Sequence, residues 1–193
     1  IDSLRASGLY DDTVIVYNSD HGEYLGYHHM IGKGNRMYEP LIRIPTIIKL
    51  PGERERQARS EDLINSTDLA PTLLSAVGCD VPSEMNGRNL TGSGDERSTI
   101  FAEGGRGSDY MARTKTRKLL LSKDDSFTAL YDLETDPEES TNLIQDDRYQ
   151  EDAAALKDAL MKWILFETKT PVHVDEDAAV CGGDNVVTRD EAR

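Results

Sequence analysis

The chain has 193 residues, enough for one ordinary domain or for one domain with a small second layer. It carries 36 acidic and 22 basic side chains, a net charge of −14 at pH 7, which argues against a general nucleic-acid binder because phosphate backbones attract positive surfaces. Hydrophobic residues make up 37% of the chain. Its apolar runs are too short to cross a bilayer, which excludes a transmembrane helix in these residues.

The first nine residues have the pattern of the last turns of an amphipathic helix, with Gly8 as the stop signal. The first residue is Ile, and no signal peptide or lipidation motif is visible, so localisation stays open. Because chains rarely begin in the middle of a helix, we expect this sequence to be a piece of a longer protein.

A β-branched run at residues 13–17 lacks polar alternation and therefore predicts a buried strand of a parallel sheet. It ends in the polar residues 18–22, and the carboxyl ends of parallel strands are where α/β sheets bind ligands. A loop punctuated by glycines follows as far as Arg36. Long loops without a helix or strand pattern are often functional, so this stretch is the first candidate for a site.

Three elements are predicted between this loop and the middle of the chain. Residues 37–41 predict one helical turn, and residues 45–52 predict a short strand closed by a Pro-Gly turn. Residues 66–78 predict a helix that begins at an N-cap, Ser66 or Thr67.

The second half of the chain predicts four short strands and one long helix. The strands are expected at residues 99–103, 110–114, 118–122 and 127–132. Their short connections imply antiparallel pairing. The helix is expected over residues 147–167, with an apolar stripe made of Leu156, Leu160, Trp163 and Ile164. Residues 168–193 are acidic and short of large apolar side chains, which predicts disorder.

Three side chains of the glycine-punctuated loop suit the chemistry of an anionic ester. Asp20 supplies a hard oxygen and His21 a neutral nitrogen, and together they suit a divalent cation without completing its site. Lys33 stands between two glycines and supplies a compact positive charge for an oxyanion. A cation beside a lysine would neutralise a transferring sulfuryl or phosphoryl group. Taken alone, an adjacent Asp and His more often form a solvated turn than a metal site.

Several segments, in order, resemble the second half of sulfatases in the alkaline phosphatase superfamily. They are residues 19–23 (SDHGE), 25–28 (LGYH), 32–34 (GKG), 37–39 (MYE), 42–45 (IRIP), 68–74 (DLAPTLL) and 130–143 (LYDLETDPEESTNL). The resemblance covers about residues 1–167. It implies an α/β fold in which part of a large mixed sheet flanked by helices precedes a small four-stranded antiparallel sheet with a C-terminal helix.

The resemblance also implies a division of the chain. Residues 1–97 are expected to belong to the catalytic α/β domain, and residues 98–167 are expected to form the subdomain with the small sheet and the terminal helix. The remaining residues 168–193 form the acidic tail.

The same resemblance implies roles for individual residues. Asp20 and His21 match the family's adjacent metal ligands, and Lys33 matches the lysine that binds a sulfate oxygen. The family favours Ca²⁺, whereas the nitrogen of His21 leaves Mn²⁺ open. His28 matches a recurrent histidine of the loop, for which contact with substrate, orientation of the loop and a purely structural hydrogen bond all stay open. His29 falls where the family usually has Gly and is assigned no catalytic role.

Other polar residues near the loop receive structural expectations. Glu39 and Arg43 are expected to form a buried or interface ion pair. The remaining candidates are expected on the loop surface, with shaping of a substrate pocket as the alternative; they are Tyr24, Tyr27, Asn35 and Arg36.

The departures from the family concern its nucleophile, a Cys or Ser in a Cys/Ser-x-Pro-x-Arg segment that is converted to formylglycine. No such segment is present: residues 79–83 have Pro one place too late and lack the Arg, and Cys181 does not match either. Cys79 is therefore expected to be a small buried or loop residue. The early Asp pair of the metal site is also missing, since residues 11–12 precede the strand as a turn. We expect both features in a missing N-terminal half of the same protein.

These observations predict a fragment of a metal-dependent sulfatase that hydrolyses a small-molecule or carbohydrate sulfate ester and is inactive on its own. A phosphonate monoester or phosphodiester hydrolase of the same superfamily is the alternative, because such enzymes also use an Asp-His pair. A non-catalytic acidic binding protein of this fold is the alternative from another class. The joint presence of Asp20, His21 and Lys33 counts against it, since a decayed site would be free to lose them.

The acidic excess has a bias of its own, because Asp outnumbers Glu by 21 to 15 and Arg outnumbers Lys by 14 to 8. Such a bias is typical of proteins kept soluble in high salt, where ions screen the self-repulsion of the chain. A halophilic source and an ordinary acidic protein are both open. Unfolding measured against salt concentration separates them: a halophilic protein is expected to lose its fold at low salt, and a transition independent of salt contradicts a halophilic source.

Overall fold

The computed structural model describes residues 1–52, 59–92, 96–104, 107–124 and 126–168. Apart from Thr168, the tail that we expect to be disordered lies outside these residues, and so does Cys181. None of the helices in the described part of the chain is long and apolar enough to span a membrane.

The first sheet has two strands, β1 (Ile15–Asn18) and β2 (Thr46–Lys49), and a short helix α1 (Asp2–Ala6) precedes it. The two strands pair antiparallel, so the prediction of parallel pairing is wrong for this pair. A parallel neighbour requires a crossover that returns to the starting edge of the sheet. Residues 19–45 instead reverse direction and bring the chain back alongside β1.

One face of this sheet is open in the described chain. Tyr17 and Ile47 are paired in register across the two strands, and their exposed fractions are 63% and 64%. The expectation that β1 is buried on both faces is therefore wrong within the described residues. The β-branched run predicts an extended strand with apolar surroundings, but it does not show which other segment of a protein supplies those surroundings.

Two short helices follow β1 and β2 in the chain, and the second of them leads towards the second sheet. Helix α2 (Glu39–Ile42) is the predicted helical turn, placed slightly later in the chain. Helix α3 (Leu69–Ala76) follows a 3-10 turn at Ser66–Asp68. The residue that precedes this turn is Asn65, one position before the predicted caps, and its N–H donates to the buried Asp68 carboxylate at 2.8 Å.

The second sheet is a four-stranded antiparallel meander, as predicted. Its strands, in spatial and chain order, are β3 (Ile100–Gly104), β4 (Asp109–Arg113), β5 (Arg117–Ser122) and β6 (Thr128–Asp132). The predicted C-terminal helix consists of a 3-10 turn at Asp147–Tyr149, helix α4 (Gln150–Lys162) and a π-helical turn at Trp163–Glu167. The α/β class and the small sheet with its terminal helix are thus confirmed.

This second sheet is buried on both faces, because alternate residues of each strand point to opposite sides. On one face, Leu119 and Leu130 pack with Leu156 and Leu160 of α4. On the other face, a cluster of apolar side chains joins the sheet to the glycine-punctuated loop and to α2; it contains Tyr24, Met37, Tyr38, Leu41, Met111, Leu120, Ala129 and Tyr131. The sheet therefore forms a platform between the terminal helix and the segment that follows β1.

Truncation of Leu160 tests the contact between α4 and the sheet. Leu160 is fully buried, whereas Leu165 in the following π-helical turn is 62% exposed. Leu160→Ala is expected to lower the free energy of unfolding by about 2–5 kcal/mol, because it removes buried methyl groups and leaves a cavity. Leu165→Ala, the matched control, is expected to change it by less than about 0.5 kcal/mol. Equal losses in urea denaturation would show that α4 is not packed as described.

Candidate functional site

The site begins where β1 ends and the chain turns into the loop. The side chain of Asp20 is exposed, and its Oδ1 accepts the backbone N–H of His21 at 2.9 Å. This hydrogen bond, helped by the electrostatic influence of the neighbouring His21 and by the ammonium of Lys33, holds the pKa of Asp20 below its usual value. Asp20 therefore presents an ionised carboxylate whose other oxygen is directed towards the imidazole of His21.

The hydrogen bonds of His21 define which ring nitrogen is free to bind a ligand. Nδ1 lies 2.6 Å from the carbonyl oxygen of Gly22, and because a carbonyl only accepts, Nδ1 carries the proton. Nε2 is then the acceptor. It lies 2.9 Å from Nζ of Lys33, which donates to it, and 3.5 Å from Oδ2 of Asp20. The structure thus brings together Asp20, His21 and Lys33, although Lys33 follows His21 by 12 residues in the sequence.

The donor set fits part of a cation site. An oxygen and a nitrogen 3.5 Å apart are both within bonding distance of one ion placed about 2.0–2.4 Å from each. Protonation of Nδ1 leaves Nε2 as the ring nitrogen with a lone pair, the arrangement that an outer hydrogen bond produces in metal-binding histidines. In this structure Lys33 donates to that lone pair, so a bound metal would take the place of this hydrogen bond. Within the described ranges, no three side chains of His, Cys, Asp or Glu gather in one place. Asp20 and His21 can therefore supply two ligands of a metal site, and the remaining ligands have to come from elsewhere.

A close contact with α2 fixes the backbone just beyond His21. The N–H of Gly22 donates to the carbonyl of Leu41 at 2.7 Å. A Cβ atom at position 22 would lie 1.9 Å from the carbonyl oxygen of Pro40, so only glycine fits there without moving the backbone. The start of the loop is therefore fixed against the segment at its end.

The central part of the loop folds onto itself in an unusual backbone conformation. Three residues that are not glycine, Leu25, His28 and His29, have φ between 49° and 62°. The N–H of Gly26 donates to the carbonyl of Met30 at 2.8 Å, which closes the turn. Non-glycine residues in this region cost about 1–3 kcal/mol each unless their surroundings hold them, and such strain is found preferentially at functional sites.

His28 makes its contacts with structural groups. Its ring stacks on Tyr38 with centroids 4.5 Å apart and meets the edge of Tyr27 at 4.4 Å. Its Nε2 lies 3.1 Å from the carbonyl oxygen of Glu138 and donates to it. Among the alternatives open for this residue, these contacts favour orientation of the loop.

Two of the residues considered for a substrate pocket also anchor the loop. The hydroxyl of the buried Tyr24 donates to the carbonyl of Arg36 at 2.7 Å. The guanidinium of Arg36 lies 3.9 Å above the ring of Phe127, donates to the hydroxyl of Ser122 at 3.2 Å and faces Asp109 at 3.6 Å. These contacts attach the end of the loop to the four-stranded sheet.

The expected ion pair of Glu39 with Arg43 is absent from the described residues. Glu39 instead receives two hydrogen bonds from Arg113, at 2.9 and 3.1 Å, and lies 2.7 Å from Nζ of Lys118. Arg43, just after α2, is exposed. The prediction that Glu39 forms an ion pair is therefore confirmed, but the predicted partner, Arg43, is wrong. Arg43 is close to Glu39 in sequence, whereas the actual partners, Arg113 and Lys118, lie on strands of the second sheet.

Two residues of this charged cluster were not identified from the sequence. Lys118 and Glu139 are both fully buried, and their charged atoms lie 2.7 Å apart. Burial raises the pKa of Glu139, against the attraction of Lys118. A lysine beside three successive leucines in a strand was an available signal, since a charge at a position facing the core requires a partner.

Comparison with known proteins shows which family this chain resembles. Residues 1–79 match the family model described as Sulfatase. The sulfatase YidJ of Escherichia coli is 32% identical over 167 residues, which cover 80% of this chain and 32% of that protein. An arylsulfatase of Clostridium perfringens is 29% identical over 83% of this chain and 35% of its own length. This chain therefore spans about a third of the length of the relatives that it matches.

A solved structure extends the similarity to the fold. The phosphonate monoester hydrolase SpPMH from Silicibacter pomeroyi superposes with a TM-score of 0.76 at 26% identity, over 88% of this chain and 38% of that one. The likeness therefore includes the second sheet and reaches well beyond the first 79 residues.

The pKa of Glu39 gives a test of the charged cluster. Burial opposes its ionisation, but the hydrogen bonds from Arg113 and the charge of Lys118 outweigh it and lower the pKa to about 2. A depressed carboxylate pKa stabilises the fold above the unfolded value of about 4.5, and this contribution is lost as the pH falls towards 2. The pKa of Glu139 is raised above 4.5, so its effect on stability falls at higher pH than the range between 4.5 and 2.

Between pH 4.5 and 2.5, we therefore expect the free energy of unfolding of the wild type to fall by on the order of 2 kcal/mol more than that of Glu39→Gln. Urea denaturation at a series of pH values measures the difference. The control Glu151→Gln, at an exposed position, should show the same change of unfolding free energy with pH as the wild type. Parallel curves for the wild type and Glu39→Gln would contradict the ion pairs of Glu39.

Proposed function

Because this chain belongs to the sulfatase family, we propose that it is the C-terminal part of a metal-dependent enzyme that hydrolyses sulfate esters. The observation that carries the proposal is the convergence of Asp20, His21 and Lys33 at the end of β1. A carboxylate and an imidazole suited to a cation stand beside an ammonium group, which is the charge pattern that a sulfuryl group requires during transfer.

Each of the three residues has a distinct task in the proposed reaction. Asp20 and His21 hold a divalent cation, which polarises the sulfuryl oxygens when bound. Lys33 lies close enough to His21 to contact an oxyanion at that cation, and its ammonium offsets the charge that develops on the sulfuryl oxygens. Calcium is the family's usual ion, whereas the nitrogen ligand of His21 makes manganese the alternative.

The nucleophile and the remaining metal ligands are assigned to an N-terminal half outside this chain. A hydrated formylglycine in that half would supply the nucleophile for the sulfuryl group. Residues 1–97 are proposed to complete one α/β domain with that half. The open face of the first sheet supports this assignment, because a groove of about 1040 Å³ lies beside β2 and is lined in part by Ile44, Ile47 and Ile48. The isolated chain is accordingly expected to be inactive.

A phosphonate or phosphodiester hydrolase is the second candidate. The similarity to the phosphonate monoester hydrolase of Silicibacter pomeroyi favours it, since that structure aligns with most of this chain. The sequence encoded upstream of Ile1 distinguishes the candidates. A Cys-x-Pro-x-Arg segment supports a formylglycine sulfatase, whereas a threonine nucleophile supports phosphatase chemistry. The absence of both would favour a binding protein without catalytic activity.

Replacement of Asp20 tests the proposed metal site in the full-length protein encoded by this gene. Loss of an outer-shell partner of a metal ligand already costs about 10–100-fold, so Asp20→Ala is expected to lower both the metal content and the hydrolysis of an aryl sulfate by at least about 100-fold. Asp12→Ala, at an exposed turn before β1, is the matched control and should leave both unchanged. An Asp20→Ala enzyme with wild-type activity would refute the role of Asp20.

A further inference from the structure

We propose that Glu139 and His28 are positioning residues, through which residues 136–139 hold the loop that carries Lys33. This inference rests on the proposed function, because it assigns these residues to the same site. It also gives the second sheet a task in the reaction, although within the described parts of the chain no hydrogen bond or ion pair joins that sheet to the three site residues.

Glu139 connects the start of α2, just after the loop, to strand β5, with one oxygen of its carboxylate bound to each. Oε2 accepts the N–H of Glu39, the first residue of α2, at 2.7 Å, across 100 residues of sequence. Oε1 accepts a hydrogen bond from Lys118 at 2.7 Å. Glu139 itself adopts φ of 50°, a strained conformation for a residue other than glycine. The carboxylate is therefore held in a defined place by tertiary contacts at a cost in local backbone energy.

Lys118 extends this attachment to Met37, two residues before α2. Its ammonium donates to the carbonyl of Met37 at 3.1 Å and lies 2.7 Å from Oε1 of Glu39, in addition to its bond with Glu139. The three N–H bonds of the ammonium are thereby matched by three oxygens. A fully buried ammonium without these partners would be strongly destabilising. Residues 37 and 39 cannot move away from β5 without leaving that charge unsatisfied.

His28 holds the middle of the same loop. Its ring is fixed by stacking on Tyr38, and its Nε2 proton is directed to the carbonyl of Glu138, the neighbour of Glu139. The loop is thus attached to one short segment, residues 136–139, at two places that flank Lys33 in sequence. Since misplacement of a catalytic group by about 1 Å costs on the order of 100-fold in rate, these attachments are expected to matter for the chemistry.

The first experiment compares Glu139→Gln with Glu134→Gln in the full-length protein encoded by this gene. Both changes neutralise a carboxylate, and the two positions are five residues apart, but the side chain of Glu134 is exposed. In Glu139→Gln we expect amide hydrogen exchange over residues 21–38 to accelerate about tenfold or more, while strands β5 and β6 keep their protection. We expect kcat to fall about tenfold with a small change in KM, and Glu134→Gln to behave as the wild type.

The second experiment addresses His28, whose substitution at the surface is compatible with folding even if Glu139→Gln is not. His28→Ala is expected to accelerate exchange over residues 21–38 and to lower kcat about tenfold, while the pH dependence of kcat keeps its wild-type shape. The kcat of the double variant Glu139→Gln/His28→Ala is expected to lie within twofold of the kcat of the slower single variant, because both changes release the same loop. Loss of one limb of the pH profile in His28→Ala would overturn the inference, since it would make His28 an acid or base of the reaction.

The exchange measurement separates this inference from the proposed function. If the wild type hydrolyses neither aryl sulfates nor aryl phosphonates, the proposed function fails, and the exchange rates alone decide whether residues 136–139 hold the loop. Unchanged exchange over residues 21–38 in His28→Ala overturns the inference whether or not the enzyme is active. Accelerated exchange together with a kcat equal to that of the wild type overturns it as well, because the attachment would then be structural only.

Discussion

The buried ammonium of Lys118 is the constraint on which the arrangement of the second half depends. Desolvating a charge costs several kcal/mol, and only oxygens at hydrogen-bond distance offset that cost. Here the oxygens come from Met37, Glu39 and Glu139. The ammonium is satisfied only when strand β5, the residues at α2 and the segment around Glu139 are all in place. This single group therefore couples three parts of the chain that are distant in sequence.

The two faces of the second sheet show what that coupling achieves. One face is covered by α4, as in many antiparallel sheets with a helix packed on one side. The other face is covered by the loop that follows β1, although this loop has little regular structure. A loop with strained backbone needs a rigid support to keep one conformation. The sheet, the cation–π contact of Arg36 and the buried charges provide that support.

Local signals in the sequence predicted the elements and the three site residues, but they did not predict the long-range pairs. Strands and the terminal helix follow from apolar periodicity, which is a property of neighbouring residues. Asp20, His21 and Lys33 follow from their residue types and from the resemblance. By contrast, Arg113 meets Glu39 across 74 residues. Likewise, a β-branched run indicates a strand and leaves the direction of its partner undetermined, which is why β1 was expected to be parallel.

His28 and Lys33 show why position in a motif does not by itself define a role. Both are basic side chains in the same glycine-punctuated loop, and both match residues of the family. Their contacts differ. Lys33 donates one of its three N–H bonds to the imidazole nitrogen of His21, whereas the ring of His28 packs against two tyrosines and donates its Nε2 proton to a backbone carbonyl. The single Nε2 proton of His28 is thus used within the protein and holds its segment in place, whereas the exposed ammonium of Lys33 keeps N–H donors for the proposed substrate.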